Sequence, residues 1–463
     1  MQKGFSVMRV TASAMVGMTL LWCACGADDT GEVVNAEKEA PAILGDATAG
    51  CSKMQLPNPS DYAVQIQLGT TLEPGEEGEF CAIQQVGDSD IWLNWSDVLL
   101  STGSHHGLLW QASYEGELPE TDNQGDPIQL GKLRPCEGGA NSRFDVRGVM
   151  AGSQGSTNST AKGVLPADVA LHIPARSYVV MNFHMLNATD KPIDPCMKVG
   201  VHSIDKKQVA QEAGVLFFFN GNIAVPAHGS ASARLACPIT QPISLKSNVS
   251  HMHSRGVGYE AKLLSGDPYA ADTKTLEMLY ETTQWDAPSD KLWDEPKQLQ
   301  KGQYIDYSCH YENTEDHDVA QGLDTTDEMC MFMGVYWPRN DALSFCSDPK
   351  TGRDAGYQIG DGRMSGSEFT SCITSSDFEA GATEGCGRAE CNDYGARYHF
   401  QSCFTQACPA IGKYTLDYVN CLGAHSPDCQ ETCAGKPASC TFSCLHEQHC
   451  KPQVQALNDT ACD

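Results

Sequence analysis

His251-Met252-His253 and, further along, Asp327-Glu328-Met329-Cys330 are the two stretches from which the chain reads outward. Both are flanked by apolar residues and read as strands of one sheet. Side chains alternate along a strand, so the two imidazoles of His-x-His point the same way and can grip one metal ion, with Met329 as third ligand. Two imidazoles and a neutral thioether suit copper cycling between Cu(I) and Cu(II) better than zinc, which favours thiolate, imidazole and carboxylate. Fourteen histidines in 463 residues give a His-x-His by chance about 0.4 times, so the motif gains its weight from its company.

That company is a series of short, β-branched or aromatic runs between turn residues. Residues 62–68, 91–93, 169–173 and 178–184 form one group, and 214–219, 259–264, 304–309 and 331–337 form another. Such spacing, without long helical periodicity, predicts an all-β chain of two tandem antiparallel sandwiches, over residues 51–205 and 206–349. Residues 350–463 differ. They hold twelve cysteines and few large aliphatics, which predicts a C-terminal module stapled by disulfides because its core is thin. Cys429/Cys433 and Cys440/Cys444 are each four apart, a spacing that puts both sulfurs on one face of a helix and predicts a disulfide-linked helical hairpin.

The start of the chain bears on compartment. Lys3 and Arg9 precede an apolar run over residues 14–21, ending at Cys23-Ala24-Cys25-Gly26. This resembles a bacterial lipoprotein signal over residues 1–24, with a lipid on Cys25, although Trp22 and Cys23 depart from the usual small-residue box. The expectation is an exported protein facing the periplasm or cell surface, held to the membrane by that anchor alone, with residues 25–50 as a polar, acidic tether. No other run reaches the roughly 20 apolar residues that span a bilayer. A formal charge of -28 argues against nucleic acid as a partner. Setting Cys23 and Cys25 aside, the 22 cysteines leave an even number in an oxidising compartment, which predicts ten disulfides.

Four local patterns in order resemble the copper type II ascorbate-dependent monooxygenases, the family of peptidylglycine α-hydroxylating monooxygenase and dopamine β-monooxygenase. They are Ser104-His105-His106-Gly107-Leu108-Leu109, Asn182-Phe183-His184, Ser250-His251-Met252-His253 with Gly256 following, and Asp327-Glu328-Met329-Cys330. The resemblance covers about residues 51–349. It implies two jelly-roll-like sandwiches facing each other across a solvent cleft, with two coppers per chain. His105, His106 and His184 would hold an electron-transfer copper. Adjacent strand residues point to opposite faces, so that pair needs a twist or bulge, which Gly103 and Gly107 ease. His251, His253 and Met329 would hold the copper at which O2 is reduced and a C–H bond hydroxylated, with ascorbate or a similar reductant. The resemblance also implies the disulfides Cys51–Cys196, Cys81–Cys136, Cys237–Cys346 and Cys309–Cys330.

Departures bear on substrate. Peptide-hydroxylating members clamp a carboxylate with an arginine two residues before His-x-His, and with asparagine and tyrosine two and four residues after the methionine. Here those positions are Val249, Met331 and Met333, which predicts an apolar, adaptable pocket for a small-molecule or lipid-like neutral substrate rather than a glycine-extended peptide. Asn182 stands where the family has a glutamine. Two rival readings are a non-catalytic exported copper-binding or surface-interaction protein on the same fold, and a zinc hydrolase. The second is disfavoured by the lack of a carboxylate ligand beside His-x-His.

Overall fold

The computed structural model describes residues 42–462 except 115, 137, 155–158, 161–163, 287, 347–353, 375–389, 434–439 and 441–442. The leader, Cys25, most of the tether and Cys386 lie outside the described residues.

Two β-sandwiches follow one another, as the strand pattern predicts. In the first, one sheet runs in the order Ile43–Leu44, Val64–Gly69, Cys196–Ser203, Ile91–Leu100, Val169–Ile173 and Gln211–Glu212, with Ser159–Thr160 beside Ile91–Leu100. The facing sheet runs Arg134–Pro135, Glu77–Gln85, Tyr178–Leu186, Ser104–Ala112 and Val146–Gln154. Pairing is antiparallel throughout except at the first sheet's two short edges, Ile43–Leu44 and Gln211–Glu212, which pair in parallel. The first of these corrects the expected tether, which ends sooner: Ile43 and Leu44 already pair with Gln65 and Ile66. Gln211–Glu212, placed by sequence beyond the first sandwich, completes its sheet.

The second sandwich pairs the sheet Gly214–Phe219, Met331–Trp337, Ile243–His251, Lys291–Leu299 with the sheet Thr275–Thr282, Gly256–Leu264, Tyr304–Glu312, Ser230–Pro238, Tyr357–Ile359. Its last strand comes from the segment assigned by sequence to the tail; Tyr357–Ile359 pairs with Arg234–Ala236.

Alternation along the strands decides which face looks where. In Tyr178–Leu186, Val179, Met181, Phe183 and Met185 enter the core of the first sandwich. Asn182 and His184 therefore lie on the outer face, with Tyr178 and Val180. Likewise Leu216 and Phe218 fill the second core, while Val215 and Phe217 point outward and pack against buried residues of the first sandwich. Phe217 meets Trp110 with ring centroids 5.0 Å apart. The outer faces of the two sheets that carry the histidines thus look at each other.

Disulfides join Cys51–Cys196, Cys81–Cys136, Cys237–Cys346 and Cys309–Cys330. Among the described residues five more staple the tail: Cys372–Cys403, Cys408–Cys462, Cys421–Cys450, Cys429–Cys444 and Cys433–Cys440. The last two link the four-spaced pairs as rungs of one hairpin. The tail's helices Gly366–Thr374, Glu390–Gln406, Gly412–Thr432 and Lys451–Asn458 bury a small core of Phe369, Ile373, Phe404, Ile411, Tyr418 and Leu457.

Candidate metal centre

His251 ends its strand, and Met252 turns into the second core. The rings of His251 and His253 accordingly share the other side, 5.3 Å apart by centroid and at 90°. In the first sandwich the register does the equivalent work. His184 pairs with His106 while Met185 pairs with Ser104, so His105 is the extra residue of a β-bulge. The bulge turns two adjacent imidazoles toward His184: the centroids of His105 and His106 lie 5.2 and 5.4 Å from it. Gly103, at φ +92°, sets the backbone into the bulge.

Three of the rings are held from behind by hydrogen bonds, and a fourth faces a carboxylate. His184 Nε2 donates to Glu77 Oε1 at 2.8 Å, and His106 Nε2 lies 3.7 Å from Glu79 Oε1. His251 Nδ1 donates to Gln154 Oε1 at 2.6 Å, and His253 Nδ1 to the Asp327 carbonyl at 3.0 Å. On the opposite side of three of these rings His106 Nδ1, His184 Nδ1 and His253 Nε2 are buried without a hydrogen-bond partner, and so is His105 Nε2. An imidazole held through one nitrogen and bare at the other is the arrangement of a metal ligand with its outer-shell partner. Copper fits this all-imidazole donor set.

Sequence reasoning missed these partners. Glu77 and Glu79 alternate on one strand, and His184 pairs in register with Glu79, so two carboxylates at period two were a signal that could have been read. Asn182 Nδ2 donates to Glu79 Oε1 at 2.9 Å, which makes it a holder of the carboxylate behind His106. Burial acts to raise the Glu79 pKa, but His106 and Asn182 outweigh it and keep the carboxyl below its usual range. Glu328 behaves oppositely. Burial pushes it up to about 7 although its oxygens accept from the backbone N–H groups of His253 and Arg255.

The two sets of histidines do not stand apart across solvent, as the resemblance implied. His105 lies 5.5 and 5.0 Å from His251 and His253 by ring centroid, and His106 lies 5.8 Å from His251. One ligand nitrogen each from His105, His251 and His253 forms a group within 4.8 Å, as does one each from His105, His106 and His184. Two things allow the approach. Hydrogen bonds cross the seam, from Gln154 Nε2 to the Ser250 carbonyl at 3.2 Å and from Thr325 N to Glu77 Oε1 at 3.0 Å. The rings of His105, His106, His251 and His253 are also held neutral. Burial, reinforced by neighbouring imidazoles, pushes His105 down to about 2 and His253 to about 4.

Met329 is buried, and it sits in sequence between two contacts with the His-x-His pair. The Asp327 carbonyl holds the His253 ring, and Met331 pairs in register with His251. The Met329 carbonyl accepts from Tyr311 Oη at 2.8 Å. Val249 pairs with Met333, and Phe217 and Phe219 lie opposite Met333 and Met331 on the next strand. The face beside His251 is therefore apolar, and it lies in the seam between the sandwiches. Met331 is only 3% exposed. Two other His/Cys groups, around His399 and His449, rest on cysteines already joined in disulfides.

Neutral buried imidazoles carry a pH consequence. An unfolded imidazole titrates near 6.5 and the folded His253 near 4, so its contribution to stability is present above 6.5 and is lost as pH falls toward 4. At pH 5 this one group costs the metal-free fold about 2 kcal/mol. The unfolding midpoint of metal-free protein should drop by several degrees between pH 7 and pH 5; a midpoint that holds level would contradict the buried, neutral cluster.

Residues 211–353 match the family described as copper type II ascorbate-dependent monooxygenase, C-terminal domain. Two solved structures are remotely similar. That of the infectious bursal disease virus Gx strain is 10% identical, covers 59% of this chain and 70% of that one, and has a TM-score of 0.14. The N-terminal CBM22-1–CBM22-2 tandem domain of Paenibacillus barcinonensis Xyn10C is 9% identical, covers 59% and 76%, and has a TM-score of 0.11. At those scores neither bears on the reading. The segment that carries His251, His253 and Met329 is thus similar to the C-terminal domain of the copper type II ascorbate-dependent monooxygenases.

Proposed function

We propose that the protein is an exported copper monooxygenase that hydroxylates a C–H bond of a neutral, apolar substrate with O2 and an ascorbate-like reductant. The observation that carries the reading is the pair of buried ring nitrogens, His184 Nδ1 and His253 Nε2, left bare while their opposite nitrogens are held by Glu77 and the Asp327 carbonyl, with His105 Nε2 and His106 Nδ1 bare beside them. Copper bound there supplies one-electron chemistry with dioxygen, for an overall R–H + O2 + 2 e⁻ + 2 H⁺ → R–OH + H2O.

His251, His253 and Met329 form the oxygen-reducing site in this reading, and three neutral ligands with a thioether favour the reduced ion. His105, His106 and His184 would hold the second copper, which would supply the electron. Glu77 and Glu79 fix the tautomers of His184 and His106, and Asn182 keeps Glu79 in place. Val249, Met331 and Met333 offer no group that would pair with a carboxylate, which supports a neutral substrate.

Metal analysis with oxygen uptake tests the proposal. The expected result is two coppers per chain and ascorbate-driven O2 consumption by the copper-loaded protein. Copper bound tightly, with no O2 consumed under any reductant, would favour the copper-binding protein; stoichiometric zinc would remove both readings.

A further inference from the structure

We propose that the disulfide-rich tail belongs to the support of the metal site, with Arg397 and Gln401 as positioning residues for the loop that carries Met329. The inference rests on the reading of His253 and Met329 as ligands.

Both residues stand on the helix Glu390–Gln406. Gln401 is 5% exposed, and its Oε1 accepts from the backbone N–H of Gln321 at 2.7 Å. Gln321 bridges to Glu328. Around that bridge the Glu328 N–H donates to the Ala320 carbonyl at 3.0 Å, and the Gly322 N–H to the Glu328 carbonyl at 3.1 Å. The Glu328 carboxylate in turn accepts from the backbone N–H groups of His253 at 3.0 Å and Arg255 at 2.8 Å. A continuous chain of hydrogen bonds thus leads from the tail helix to His253.

Arg397 supplies a second hold one residue earlier. Its guanidinium lies 3.5 Å from Asp327 Oδ1, and the Asp327 carbonyl is the acceptor for the His253 ring. The same carboxylate is wedged against Gly322, where a Cβ would lie 1.7 Å from its oxygen. Residues 321–329 form no strand of their own beyond single bridges, so their course depends on what they lean on. The helix is itself fastened by Cys372–Cys403, with Cys408–Cys462 just beyond its end. A neutral thioether makes a weak bond to metal, and such a ligand gains most from being held where the metal needs it.

The test uses full-length, copper-loaded protein carrying Arg397→Gln, Gln401→Leu, both together, or Met329→Leu as reference. Two readouts are independent of turnover: the Cu(I) dissociation constant by chelator competition, and the C–O stretching frequency of the carbon monoxide adduct of reduced protein. The double variant is expected to weaken one of the two Cu(I) sites about 10-fold, the low end for an outer-shell change, and to move the stretch toward the Met329→Leu value. Arg397→Lys should restore both. Arg397→Gln alone, at a side chain 40% exposed, keeps the test open if Gln401→Leu disturbs folding. Wild-type affinity and stretch in the Arg397 and double variants, with both altered in Met329→Leu, would overturn the tail's role alone. No change in Met329→Leu would overturn the ligand reading beneath it.

Discussion

Exchanging Met329 for leucine should lower ascorbate-dependent O2 consumption more than about 100-fold, beyond the 10- to 100-fold usual for an outer-shell partner. Leucine fills nearly the same volume, so a buried Met→Leu exchange costs under about 1.5 kcal/mol and the fold survives. What is lost is the sulfur. His251 and His253 remain with their Gln154 and Asp327 partners, so the protein still binds copper, but as a two-imidazole site that no longer prefers the reduced ion. Oxygen uptake in the leucine variant at the wild-type rate would mean that Met329 is core packing and nothing more.

The largest stability effect belongs to Cys51–Cys196. This bridge spans 145 residues and ties the short helix Ala49–Ser52 to the start of the strand Cys196–Ser203. Loop-closure entropy assigns it about 5 kcal/mol, against about 2 kcal/mol for Cys433–Cys440, which spans 7 residues. Replacing both cysteines of the long bridge by alanine should lower the unfolding midpoint by roughly 10 to 20 °C, and replacing both of the short one by less than half as much. Equal losses from the two would show that unfolded-chain entropy is not what these bridges act through. Scanning calorimetry of the two variants decides it.

Local geometry explains what was legible beforehand. The strand ends at His251, so His253 lies beyond the expected strand, yet Met252 between them enters the core and leaves the two imidazoles on the other side. The adjacent pair His105-His106 demanded a distorted strand, and the bulge lies at His105. Two sandwiches and a stapled tail follow from strand-length runs and from where the cysteines lie. The rest depends on groups far apart in sequence. Gln154 and His251, Glu77 and Thr325, and Arg397 and Asp327 are each joined only because whole sheets and one helix pack against one another. No periodicity within a segment encodes such a meeting.

The sequence by itself therefore determined the strand pattern, the copper-suited donors and the faces on which they stand, since these depend on residues a few positions apart. Only the tertiary structure decided that His105 reaches both sets of histidines, that the apolar face of Met331 and Met333 lies in a seam, and that the tail helix is hydrogen-bonded to the loop that leads to Met329. The physical reason is that a relation between two rigid bodies is set by the sum of contacts along their shared surface, and no single stretch of chain contains that sum.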